Sequence, residues 1–161
     1  MKVRALHGVW WWLPAVALWA AGTTPPQALT EFTAAGCFIA TPYGVVLNIT
    51  RGLGRIQMPM GGREPGETAL QTARRETREE TGLEVEIGVL LMKWDDDRVL
   101  LFQCTPMAPI DYPALRPIDT LEVAEVLVMN PHTLLNFDGR TIDNPWRFAN
   151  TRALLRALVP R

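Results

Sequence analysis

Apolar residues fall in blocks along this chain, and the blocks differ in rhythm. Runs at 33–40, 45–50, 83–94, 99–106 and 123–129 are rich in β-branched and apolar residues and predict strands. Thr41-Pro42-Tyr43-Gly44 predicts the turn joining the first two. Asp95-Asp96-Asp97 predicts the hairpin between the third and fourth, since three aspartates between two apolar runs suit a turn better than an ion site. The stretch 68–81 has another rhythm. At about 100° per residue, Leu70, Ala73 and Thr77 share one stripe, the side that packs on a sheet. Thr68-Ala69-Leu70-Gln71 reads as a capping box, and Gly82 supplies a left-handed stop. Further helices are predicted at 131–135 and from about 145 to 158, the latter opened by Trp146-Arg147-Phe148 packing on the sheet. Residues 107–120, broken by Pro109, Pro113 and Pro117, predict a loop, and Pro59-Met60-Gly61-Gly62 a turn.

The polar side of helix 68–81 carries the chemistry. Glu76, Glu79 and Glu80 stand at i, i+3 and i+4, so their side chains are neighbours. Like charges placed so repel by about 0.2–0.5 kcal/mol per pair even on an exposed helix. A hard divalent cation compensates that repulsion: Mg²⁺ takes carboxylate oxygens, keeps several waters and binds phosphates with its remaining positions. The bland alternative is a solvated helix face braced by pairs such as Arg75 with Glu79.

Spacing decides between them. From Gly61 to Leu83 the chain reads Gly-x5-Glu-x7-Arg-Glu-x2-Glu-Glu-x-Gly-Leu, with Glu67, Arg75, Glu76, Glu79, Glu80 and Gly82 at the fixed positions. This resembles the Nudix box, the signature of hydrolases that cleave a nucleoside diphosphate linked to another group X. The resemblance implies a Nudix fold, an α/β architecture with a mixed sheet between helices, over residues 32–161. It implies Mg²⁺ or Mn²⁺ held by Glu76, Glu79, Glu80 and the carbonyl of Gly61, with Arg75 orienting a box carboxylate. It also implies a carboxylate base, drawn from the box (Glu79, Glu76) or from outside it, where Glu122 and Glu125 stand at the usual place. Two positions depart from the family pattern. Thr77 replaces an aliphatic residue, and Met60 stands where relatives carry Gly or a phosphate-binding Lys, which disfavours a polyphosphate specialist.

Composition adds limits. The 161 residues fit one domain able to bury a core. With 16 basic and 17 acidic residues and no Lys/Arg block, neither nucleic acid nor an anionic membrane is an expected partner. The expected partner is a small-molecule nucleoside diphosphate derivative, and oligomeric state is not written in the sequence. Lys2 and Arg4 precede an apolar run at 9–21 that closes on Ala20-Ala21-Gly22, the pattern of a signal peptide over residues 1–22. The run is short of the roughly 20 apolar residues of a spanning helix and contains Pro14, so no stable membrane anchor is expected. Residues 23–31, with Pro25-Pro26, predict a linker. The expected location is therefore periplasmic or extracellular, and cytoplasmic if the start lies further along.

Cys37 and Cys104 each fall in a strand-like run. Buried free thiols are the expected state, although the fold that the resemblance implies makes these strands neighbours and export permits a disulfide. Ala34-Ala35-Gly36-Cys37 mimics a lipidation site, but merges into a strand. Asn48-Ile49-Thr50 matches a glycosylation sequon within another. Tyr43, Trp94, Phe102 and Trp146 have rings able to stack on a nucleobase, and each suits the core equally. The competing functional class is a catalytically silent Nudix-fold domain that binds a diphosphate or senses it.

Overall fold

The computed structural model describes residues 31–96 and 98–159. The predicted signal peptide at 1–22, and nearly all of the linker at 23–31, lie outside the described residues.

Two four-stranded sheets organise the chain. The first is mixed, in the order β5 (Met60–Gly62), β1 (Ala34–Phe38), β7 (Val99–Pro106), β6 (Val85–Trp94). Here β1 runs parallel to β7, while β5 and β6 are antiparallel to their neighbours. In the second, β3 (Gly44–Thr50) has β8 (Val123–Met129) along one edge and β2 (Ala40–Thr41) and β4 (Ile56–Gln57) along the other. Strands β1, β3 and most of β8 are buried on both faces because both faces are covered. Along β7, Leu100, Phe102 and Cys104 join one core with Ala69 and Ala73 of helix α1 (Ala69–Thr81). Leu101 between them joins a second core with Leu155 of helix α2 (Thr151–Leu158). In β8, Val126 and Val128 likewise face the first core, and Leu127 and Met129 the second. The result is the α/β architecture expected.

Helix α1 forms as its pattern demands. The Thr68 hydroxyl accepts the Gln71 N–H, and the Gln71 side chain returns to the Thr68 N–H at 2.9 Å. Gly82 ends the helix with φ 75°. Asp95 and Asp96, both at φ 54°, make the β6–β7 turn, and the Arg98 N–H bonds the Asp95 carbonyl at 3.1 Å.

Other expectations need correction. The run 33–40 is two strands in different sheets, parting at Ile39. Residues 59–62 are not simply a turn, because β5 pairs with β1 through Gly61 opposite Ala35. No helix forms at 131–135, where Leu134 takes a left-handed φ of 62° and the local bonds close turns. Nor does the last helix begin at 145. Trp146 is bridged to Ile56 in extended backbone, with Ile56 N–H bonding the Pro145 carbonyl and Arg147 N–H the Ile56 carbonyl, both at 2.8 Å. Cys37 and Cys104 are joined in a disulfide with Cα atoms 5.5 Å apart, against the free thiols expected. Parallel pairing of β1 with β7 brings the two side chains into the same core, within the separation a disulfide accepts.

Candidate active site

Glu76 and Glu80 stand one turn apart on the buried side of α1, and the loop before the helix folds back over them. Glu76 is 7% exposed and Glu80 2%. That burial gives each carboxylate a distinct environment.

Arg75 is the hub. Its guanidinium donates to Glu67 at 2.7 and 3.0 Å, Glu76 at 2.7 Å, Glu79 at 3.1 Å and the Gly62 carbonyl at 2.8 Å. These bonds tie the loop that precedes the helix to the helix itself. Hydrogen bonds from Arg75, then from the Glu64 N–H and Thr72 hydroxyl, hold the Glu67 carboxyl down at about 2 against the pull of burial. Hydrogen bonding to Glu67 and Glu76 keeps Arg75 protonated, its pKa raised above the ordinary value.

Glu80 turns inward. It accepts the Met60 N–H at 2.7 Å, the Asn48 amide at 2.9 Å and the Gln57 amide at 3.0 Å. Burial pushes its carboxyl up to about 8, with Glu76 and Glu122 adding to the rise, while the Met60 N–H and Asn48 amide oppose it. In the absence of a cation this group therefore favours the fold below pH 4.5, and that contribution fades as the pH rises through about 8. Burial likewise raises Glu76, with Glu79 and Glu122 adding to the effect and Arg75 opposing it. Asn48 is fully buried on the Glu80 carboxylate, so its sequon is closed to glycosylation in the folded chain.

Glu122 reaches this cluster from the β8 side. The α1 carbonyl of Glu79 accepts the N–H groups of Ile118 and Asp119 at 2.8 and 2.9 Å, anchoring the loop that carries it. A cavity of about 360 Å³ results, with Glu64, Glu76, Glu79, Glu80, Asp119 and Glu122 around a single guanidinium, Arg75. Glu125 is not brought here. It pairs with Arg140 instead.

The residues bear on a divalent ion in two ways. Among the described residues no three acidic side chains stand close enough to hold one together, because Arg75 draws in Glu76 and Glu79 while Met60, Asn48 and Gln57 draw in Glu80. The donor chemistry nevertheless suits a hard cation, being all oxygen, with acids outnumbering the one guanidinium and burial raising two of them. Gly61 lies so close that an added Cβ would collide with the Glu76 carboxylate, which keeps its main chain against the cluster.

A second chain of bonds leads away from the acids. The Arg147 guanidinium donates to the Gln57 side-chain oxygen, and the Gln57 amide donates to Glu80. Arg147 and Trp94 border a cavity of about 460 Å³ shared with Glu80 and Glu122, and also a larger, apolar one of about 650 Å³. Of the four aromatic candidates, only Trp94 reaches these cavities. Tyr43 sits edge-on to Tyr112, Phe102 is fully buried, and Trp146 packs into the core. Asn48, Gln57 and Arg147 carry no signal of this role in the sequence, whereas Glu67 stands at a fixed position in the motif.

Comparison with known proteins bears on the family and the fold. A family described as NUDIX domain matches residues 31–146. The chain is 35% identical over 78 residues to an RNA pyrophosphohydrolase of Erythrobacter litoralis (strain HTCC2594), an alignment covering 46% of the chain and 48% of that relative. It thus spans about half the length of that protein. Its fold is similar to an ADP-ribose pyrophosphatase from Streptococcus suis 89-1591, with a TM-score of 0.58 and 17% identity over 78% of this chain and 86% of the other. It is similar as well to a C. elegans Ap4A hydrolase, at a TM-score of 0.55 and 20% identity over 78% of this chain and 94% of the other. At such identities these two structures speak to the fold alone.

Proposed function

The chain belongs to the NUDIX family, and on that premise we propose that it is a metal-dependent pyrophosphohydrolase acting on a small nucleoside diphosphate derivative. The observation that carries this reading is the cluster itself: acidic side chains packed about Arg75, two of them buried, an all-oxygen donor set suited to a hard divalent cation. RNA pyrophosphohydrolase, the curated relative, supports cleavage of a phosphoanhydride without naming the substrate here.

Glu76, Glu79 and the Gly61 carbonyl would hold Mg²⁺ or Mn²⁺, with Glu80 as the deeper ligand. The ion would neutralise phosphate charge and acidify water. Arg75 orients Glu76 and Glu79 through its hydrogen bonds to both. Glu122, exposed at the rim, takes the proton as the water oxygen bonds to phosphorus. The bond from that phosphorus to the bridging oxygen breaks, leaving two phosphate-bearing products. Glu125, committed to Arg140, has no part in this scheme.

A panel of nucleoside diphosphate derivatives, incubated with Mg²⁺ or Mn²⁺ and followed through a coupled phosphatase that frees phosphate from the monoester products, tests the reading. Turnover of at least one compound is expected. Tight binding without turnover across the panel would favour the silent binding domain instead.

A further inference from the structure

An apolar cavity shares Trp94, Arg147 and Phe148 with the one that Glu80 and Glu122 border, and it is built of different material. Its volume is about 650 Å³, within the range of small-molecule sites. Met58, Met92 and Trp94 come from the family-matched part of the chain, and Phe148 and Leu154 from the segment beyond residue 146 where that match ends. Seven of its ten lining residues thus lie beyond the matched segment. Resting on the hydrolase reading above, we infer that this cavity holds the X group of the substrate, and that X is apolar, an alkyl or aryl group esterified to the diphosphate.

Polarity decides between X and a nucleobase. A base edge brings several donors and acceptors, and each one left unpaired on burial costs about 1–3 kcal/mol. The walls have three polar side chains to answer them, Arg147, Asn150 and Thr151. Arg147 already bonds Gln57, and Thr151 is 6% exposed at the start of α2. An apolar group asks for no such partners. It gains from contact with the thioethers, the indole and the Phe148 ring, which is 45% exposed without an occupant.

Arg147 fixes the orientation. It borders both the apolar cavity and the neighbouring one shared with Glu80 and Glu122. A guanidinium carries five N–H donors, so it can bond Gln57 and grip a phosphate oxygen together. A diphosphate held there lies between the acids and the apolar cavity, with X on the side away from the box.

Two probes sharing one nucleoside test this: the hexyl ester of ADP and ADP-ribose, assayed with Mg²⁺ on the full chain. The hexyl ester should show a kcat/KM at least about tenfold higher. Ala153→Trp, which fills the cavity from an exposed helix position, should raise KM for the hexyl ester about tenfold, leaving kcat within about twofold and affecting ADP-ribose, whose polar X group gains little from apolar walls, clearly less. Phe148→Ser should do the same from a loop. A preference for ADP-ribose, or equal damage to both probes, would overturn the inference and put the base in the cavity. Calorimetric titration with both probes separates the two levels. Hexyl-ester binding weakened by Ala153→Trp, but without turnover, keeps the cavity assignment and removes the hydrolase; no difference in binding between wild type and variants removes the cavity assignment.

Discussion

Arg75 and Gly61 show how single residues set the candidate site. Gly61 lacks the Cβ that would strike the Glu76 carboxylate, and that carboxylate is the flexible end of a side chain. Gly61→Ala should therefore leave the fold nearly intact while displacing Glu76, at a cost on the order of 10²-fold in rate. A thermal melt beside the kinetics checks both halves. Glu67 permits a pH prediction. Its folded pKa of about 2 lies below its ordinary 4.5, so its bond to Arg75 stabilises the fold above pH 4.5, and the contribution is lost as pH falls toward 2. The stability gap between wild type and Glu67→Gln should narrow over that window, as acid titrations followed by circular dichroism would show. The motif positions were legible because their spacing is strict. Asn48, Gln57 and Arg147 were not, since each gains its role from strands and turns distant in the chain.

At the scale of elements, local signals read well and long-range ones poorly. Helix α1 carries its own cap, stripe and stop, and its bounds followed from those residues. Strands β4 and β5, with two and three residues, have no periodicity to read, and exist because β3 and β1 offer them edges. The final helix begins late because Pro145 and Trp146 are held extended along β4. The disulfide likewise follows from pairing, not from composition. It closes a separation of 67 residues, for which the loss of chain entropy in the unfolded state amounts to about 4 kcal/mol. Cys37→Ala together with Cys104→Ala should lower stability by about 2–5 kcal/mol in urea titrations, with box chemistry retained where the domain stays folded.

For the whole molecule, the α/β plan was expected from the resemblance to the Nudix family and the order of strand-like and helical runs, while the division into two cores follows only from how the two sheets and helices pack. Among the described residues no helix is long and apolar enough to cross a membrane. We propose that residues 1–22 direct export, a setting in which the Cys37–Cys104 bond would persist. Intact-mass measurement on protein from its native host should find a chain beginning near Thr23, and a soluble cytosolic species that keeps Met1 would refute export while leaving the hydrolase reading untouched.

The central claim concerns the acids of α1, and Glu79→Gln addresses it most directly. The substitution keeps the shape of a side chain bonded to Arg75 at 3.1 Å and removes one charge from the cluster. Hydrolysis of the best compound in the panel should fall on the order of 10³-fold in the variant, and should vanish from wild type in EDTA and return with Mg²⁺. Full activity in the variant, or in wild type stripped of divalent ions, would contradict the account.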